Sequence, residues 1–204
     1  MSEPTKTPLP SISVARHGET EWSLSGRHTG RAEIPLTERG EQDAQCLGRR
    51  LREMGFADVW TSPLGRARHT ATLAGFDDAK VDPDLVEWDY GEIEGLTTAT
   101  YWERRPGWDL FRDGCAGGES VAEIAARADR VIDRLRSVDR DVLLFSHGHF
   151  LRVLAARWVG LGAEHAAAFF LTTSALGALG YEHARSRPAI RLWNDTGHLF
   201  PGSH

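Results

Sequence analysis

The sequence predicts an α/β fold: a three-layer sandwich in which helices cover both faces of a largely parallel central sheet. Three observations predict it. Short strand-like runs alternate with helix-like patterns along the chain. The run Val142 to Phe145 is continuously apolar, as suits a central parallel strand buried on both faces. Polar motifs follow directly behind three of the strands, and in open parallel sheets ligands gather beyond the strands' carboxyl ends, so all three motifs are expected at one edge.

In chain order, residues 1–10 are polar and proline-bearing, lack the apolar segment of a signal peptide, and read as a flexible tail. Residues 11–204 are expected to form a single domain. Ile12 to Arg16 is a short strand. Thr37 to Met54 is a helix with Ala44, Leu47 and Leu51 on one face and Gly55 as its stop. Asp58 to Thr61 is a second strand. Ser62 is expected to cap the next helix, with Pro63 at its first position, where a missing N–H costs nothing. Leu64, Ala67, Ala71 and Ala74 make that helix's buried stripe. Residues 97–118, rich in aromatics and arginines up to Cys115, are expected to fold over a pocket mouth as a lid or specificity insertion. Ser120 and Glu123 form a capping-box pair opening a long helix whose apolar side is Val121, Ile124, Ala128, Val131 and Leu135. Phe150 to Val159 is helical again. Ala175 to Tyr181 and Ala189 to Trp193 read as two further strands.

The chain has 204 residues, enough to bury one sizeable core. A net charge of −5 and a pI near 6.0 give a nucleic-acid partner no general electrostatic support. No apolar run approaches the ~20 residues of a membrane helix. Cys46 and Cys115 have no ligand-like spacing and read as reduced thiols. The composition therefore predicts a soluble cytoplasmic protein without a nucleic-acid or membrane partner.

The motifs are Arg16-His17-Gly18-Glu19-Thr20, Ser62-Pro63-Leu64-Gly65-Arg66-Ala67 and Ser146-His147-Gly148-His149. Together they supply what phosphoryl transfer needs. Arg16 and Arg66 are fixed cations whose planar forks match phosphate oxygens. His17 is the candidate nucleophile, provided one ring nitrogen is free and the other donates to a fixed acceptor, for which a carbonyl in the Gly18 turn is suited. His147 adds a donor for charge that builds on the equatorial oxygens. A leaving alcohol needs a proton, and Glu87, Asp89, Glu92 and Glu94 all offer a carboxyl; spacing does not choose among them, although Glu87 has the most apolar neighbours in Val86 and Trp88. A zinc site on His147 and His149 is the competitor. No cysteine pair or carboxylate cluster accompanies them and two arginines repel a cation, so neither a metal nor a cofactor is expected. His28 is placed either at the pocket mouth or as an ordinary loop histidine. Among Arg104, Arg105 and Arg112, Arg112 is the candidate for meeting a second anionic group on the substrate.

In this order the motifs resemble those of the histidine phosphatase superfamily, the phosphoglycerate-mutase-like proteins, from about Ile12 to Trp193. Arg16 to Trp22 is similar to the opening motif, Thr29-Gly30 and Pro35-Leu36-Thr37 to its continuation, Ser62 to Ala71 to the second arginine segment, and Glu87 to Gly95 to the acid segment. Gly118-Glu119-Ser120 and Ser146-His147-Gly148 complete the set. The resemblance implies a phosphoglycerate-mutase-like fold, a phosphorylated His17, a phosphate pocket of Arg16, Arg66 and His147, and Glu87 as general acid and then base, without a metal. It extends the substrate-binding set to Ser23, Thr29, Gly30 and Gly148. Ser23 departs from the asparagine of many relatives and is similar to actinobacterial acid-phosphatase and fungal sedoheptulose-bisphosphatase types. The chain lacks the long insertion with which mutases enclose their substrate. A small phosphorylated substrate and hydrolysis are thus expected, by an acid or sugar phosphatase, with a homodimer possible. The alternatives are mutase-type transfer and a non-catalytic phosphate-binding module.

Overall fold

In the computed structural model, which describes residues 9–200, the alternating runs become one six-stranded sheet. Most of the expected N-terminal tail, residues 1–8, lies outside the described residues, and Pro10 is already buried. The strands are β1 (Ile12–Arg16), β2 (Asp58–Thr61), β3 (Lys80–Val81), β4 (Val142–Ser146), β5 (Leu176–Tyr181) and β6 (Pro188–Asp195), in the spatial order β3-β2-β4-β1-β5-β6. β3, β2, β4 and β1 run parallel, whereas β5 is antiparallel to β1 and β6 antiparallel to β5. The sheet is largely parallel, as expected.

The helices are α1 (Glu21–Leu24), α2 (Glu38–Leu51), α3 (Gly65–Leu73), α4 (Thr98–Trp102), α5 (Leu110–Asp113), α6 (Val121–Arg136) and α7 (Gly148–Trp158). Alternation along the central strands assigns them to layers. Ile12, Val14, Val142 and Leu144 pack with Ile124, Ala128, Val131 and Leu135 of α6 and with Leu151 and Leu154 of α7. Ala15, Leu143 and Phe145 point the other way, into Leu47 and Leu51 of α2 and Ala71 of α3. No helix among the described residues is long and apolar enough to cross a membrane.

Several boundaries differ from the sequence reading for local reasons. Ser62 does not cap α3: Leu64 holds the N-cap place without a side-chain bond. Ser62 instead extends the β2 ladder, its N–H donating to Phe145 O at 2.9 Å, which leaves its side chain at the sheet edge. α7 begins two residues before Phe150, because its first N–H groups find a partner from a distant segment. α2 ends at Leu51, ahead of Met54. The elements α1, α4, α5 and β3 span two to five residues each, too short to show a period. The segment 97–118 is tied down: Tyr101, Trp108, Leu110 and Phe111 are buried, and Trp108 Nε1 donates to Gly114 O at 2.9 Å.

One close backbone contact fixes the turn that carries His17. The start of α2 presses on the chain behind β1, where a Cβ on Gly40 would lie 2.2 Å from Glu19 O and one on Gly18 would lie 2.5 Å from Gly40 O. Both neighbours are backbone and cannot swing aside. Gly40→Ala is therefore expected to cost about 1–3 kcal/mol of stability, the usual range for overpacking, measured by denaturant unfolding. An unchanged midpoint would show that the turn has room.

Candidate active site

The register across β2, β4 and β1 builds the site. Thr61 pairs with Phe145 and Ser146 with Arg16, so the residues after these strands (Ser62, His147 and His17) emerge side by side. The ladder continues one step further, with His17 N–H donating to Ser146 O at 2.9 Å. The His17 and His147 ring centroids are 5.2 Å apart.

His17 is buried, and its Nδ1 stands 2.7 Å from Gly18 O. A carbonyl only accepts, so Nδ1 carries the proton and Nε2 keeps its lone pair. Burial, and then the charges of Arg66 and Arg16, hold the His17 pKa well below that of an ordinary histidine. The ring is thus neutral at neutral pH, as attack requires.

Arg66 is buried, with Nη1 donating to Ala32 O and Nη2 to Thr29 O and Gly30 O, each at 2.9 Å. Arg16 gives Nη1 to Leu171 O at 2.6 Å. His147 is fully buried, and its Nε2 meets Ser62 Oγ at 2.8 Å. Arg16 Nε, Arg66 Nε and His147 Nδ1 are buried with no protein partner among the described residues. Buried polar groups are nearly always bonded, so donors left over in one place mark where a ligand oxygen belongs. Gly148 fits closely here, since a Cβ on it would lie 3.1 Å from the Arg16 guanidinium carbon.

Glu87 fills the remaining side. Its Oε1 accepts from the N–H groups of Trp88 at 2.9 Å and Phe150 at 2.8 Å, and its Oε2 accepts from His149 N–H at 3.0 Å. It therefore caps α7 from outside, which explains the early start of that helix. In the sequence Glu87 stands out for its apolar flanks; its position is in fact set by a helix N-terminus. Asp89 pairs with Arg31, Glu94 accepts from Gly30 and Ala32 N–H, and Glu92 is exposed. Of the four carboxylates only Glu87 lines the pocket, a cavity of about 260 Å³.

Arg16, His17, Ser23, Thr29, Glu87 and Gly148 line that cavity, while Arg66 and His147 are buried and are not among its lining residues. Ser23 also closes a capping box with Thr20 on α1. Gly30 is not at the cavity wall and acts through its carbonyl, which holds Arg66. Arg112 is not brought to the pocket. Its fork closes on Asp113 and on Gly107 O, and its side chain is 64% exposed. Besides Arg16, the arginines that reach the cavity are the exposed Arg27 and the half-buried Arg152, and sequence reasoning singled out neither. Arg152 is the more firmly held. It stacks 4.5 Å over the Phe111 ring and donates to Ala166 O and Ala167 O. A signal existed: Arg152 lies at i+4 from Gly148 on α7, hence on the same helix face. His28, Tyr90 and His149 also line the cavity, so the open question over His28 resolves toward the pocket. His147 and His149 turn their ring nitrogens to Ser62 and Tyr90, and no group of three metal-ligating side chains occurs among the described residues.

Comparison with known proteins agrees with this geometry. The model of the histidine phosphatase superfamily (branch 1) matches residues 12–196. An acid phosphatase of Mycobacterium tuberculosis is 42% identical over 183 residues, covering 87% of this chain and 89% of that one. A sedoheptulose 1,7-bisphosphatase of Saccharomyces cerevisiae is 37% identical over 76% of this chain and 69% of its own. The solved structure of an open reading frame from Mycobacterium tuberculosis superposes with a TM-score of 0.88 at 40% identity, covering 93% of this chain and 99% of that one.

The pocket histidines couple the site to stability. Burial is the first cause lowering the pKa of His17, His28, His147 and His149, that of His28 to about 4. In the unfolded chain each protonates near 6.5, at about 1.4 kcal/mol per pKa unit. The unfolded state then binds more protons, so stability is lost as pH falls below 6.5. Denaturant unfolding at pH 7.5 and 5.5 is expected to show lower stability at 5.5, and His28→Gln to flatten the difference. Equal stability at both pH values would contradict the neutral imidazoles.

Proposed function

The chain belongs to the histidine phosphatase superfamily, and from that premise we propose that this phosphatase hydrolyses phosphomonoesters through a phosphohistidine at His17. The observation that carries the reading is the His17 ring, neutral and fixed by Gly18 O, close to His147 and in the field of Arg16 and Arg66, with Arg16 Nε, Arg66 Nε and His147 Nδ1 buried and without a protein partner among the described residues.

In the first half-reaction the His17 Nε2 lone pair attacks phosphorus in line with the leaving oxygen. The P–O bond breaks, and the Glu87 carboxyl gives the alkoxide its proton. Arg16, Arg66 and His147 stabilise the three equatorial oxygens as charge shifts onto them. In the second half, water loses a proton to the Glu87 carboxylate and attacks phosphorus. The N–P bond breaks, and phosphate leaves with His17 neutral again. Water is the proposed acceptor because the chain runs from the aromatic segment directly to Gly118-Glu119-Ser120, without a long enclosing insertion.

A sugar phosphate is the proposed substrate class. Arg152, rather than Arg112, is then the arginine for a second anionic group: it lines the cavity, as the exposed Arg27 also does, and is held in place over Phe111, while Arg112 is engaged by Asp113. A reducing, cytoplasmic setting belongs to the same proposal, supported by Cys46 and Cys115 standing as free thiols.

Four variants test the assignments. His17→Ala is expected to abolish phosphate release, and Glu87→Gln to slow alkyl esters about 10²–10⁴-fold while slowing p-nitrophenyl phosphate far less. Equal losses on both ester types would remove Glu87 from the proton-transfer role. For a sugar bisphosphate, Arg152→Ala is expected to lower kcat/KM by at least about tenfold, a lost charge-assisted bond being worth about 1.4 kcal/mol or more. Arg112→Ala should leave it within about twofold. The reverse ranking would restore Arg112.

A further inference from the structure

Buried Tyr90 and half-buried His149 form a pair that the phosphate chemistry leaves unused. Tyr90 Oη lies 2.5 Å from His149 Nδ1. Burial, and next the charge of Glu87, push the Tyr90 pKa up, so the phenol keeps its proton, and His149 Nδ1 is the one acceptor in reach of it among the described residues. Nδ1 is then the acceptor, and a neutral imidazole accepting at Nδ1 carries its own proton on Nε2. Burial and the charge of Arg152 keep the ring neutral. Its orientation is fixed by rings on three sides, with centroids of Phe111 at 5.3 Å, Tyr90 at 5.9 Å and His28 at 6.0 Å. His149 lines the cavity, and its Nε2 has no partner among the described residues. Its backbone N–H holds Glu87 Oε2 at 3.0 Å, and both residues line the same cavity, which places His149 next to the proposed proton donor.

We propose that His149 is a specificity-determining residue whose Nε2–H donates a hydrogen bond to a hydroxyl oxygen of a polyhydroxylated leaving group. Tyr90 is its positioning residue. This rests on the phosphatase reading and adds to it the feature by which a sugar phosphate is told from a plain alkyl phosphate. A neutral, pre-oriented donor suits that task. A site built to bond a hydroxyl loses the bond outright with an ester that lacks one, and the donor stays desolvated and unpaired.

The test compares two esters whose leaving alcohols need the same proton, ribose 5-phosphate and n-pentyl phosphate, by the ratio of their kcat/KM values. The wild type is expected to favour the sugar ester. His149→Phe, which keeps the backbone N–H on Glu87, should lower the ratio at least tenfold, and His149→Gln, which retains a donor, should keep most of it. Equal falls for both esters, or a wild type with no preference, would overturn the proposal. The pair itself is read without turnover by ¹⁵N NMR of the His149 ring. The expected signature is a neutral Nε2–H tautomer, lost to a mixture in Tyr90→Phe; a neutral Nδ1–H tautomer in the wild type would overturn it. A wild type inert toward both esters and p-nitrophenyl phosphate is a failure of the phosphatase reading, and the tautomer measurement still decides the pair.

Discussion

Packing two guanidinium groups into one edge of a β-sheet is the constraint on which the rest of this structure depends. Removing a cation from water costs several kcal/mol unless partners replace the lost hydration, and two cations also repel. The partners here are mostly backbone carbonyls. Arg66 is held by Thr29, Gly30 and Ala32, and Arg16 by Leu171, all from irregular segments. Loops that look unstructured in sequence are thus shaped to present oxygen atoms. The bonding stops short of saturation: the Nε atoms of both arginines are buried without a protein partner among the described residues, and the proposed phosphate dianion would complete the set. The lowered pKa values of His17 and His147 arise from the same field added to burial, so the cations proposed to bind phosphate also keep the proposed nucleophile unprotonated.

The proton-transfer side is organised around a helix terminus. Glu87 takes up N–H groups at the start of α7, and its segment is braced twice more. Arg127, itself buried, donates to the carbonyls of Asp84, Val86 and Glu87 and pairs with Glu119, while Ser146 Oγ donates to Leu85 O at 2.7 Å. Ser146 lies immediately before His147 in β4, so the acid and the phosphate-binding histidine hang from one strand end. α7 then carries His149 and Arg152 into the cavity a turn later. One helix start therefore orders Glu87, His149 and Arg152, the proposed acid, leaving-group contact and anion contact.

Much of this is legible in the sequence wherever a residue's role depends on its own neighbours. β1, β2 and β4 announce themselves as short apolar runs, and the motifs behind them locate His17, Arg66 and His147. The Gly18 carbonyl as acceptor for His17 is legible too, being one residue away. Partners across space are not. Ser62 carries the local chemistry of a helix cap, yet the β2 ladder turns it toward His147. Glu87 stands out for apolar flanks, whereas the N-terminus of α7, about sixty residues on, is what holds it. Arg112 sits in a promising basic and aromatic stretch, but Asp113 beside it closes its fork. Arg152 lies in a plain apolar helix with no motif to mark it, although its cavity role is a matter of helical phase alone.

The central claim is a covalent bond between phosphorus and His17 Nε2. It is tested most directly by rapid base-quenched mixing with a ³²P-labelled phosphomonoester, followed by mapping of the labelled peptide at alkaline pH. The account predicts label on the peptide containing His17, stable in alkali, labile in acid, and absent from His17→Ala. Label on another residue, or phosphate release with no trapped intermediate under conditions where the second step is slowed, would contradict it.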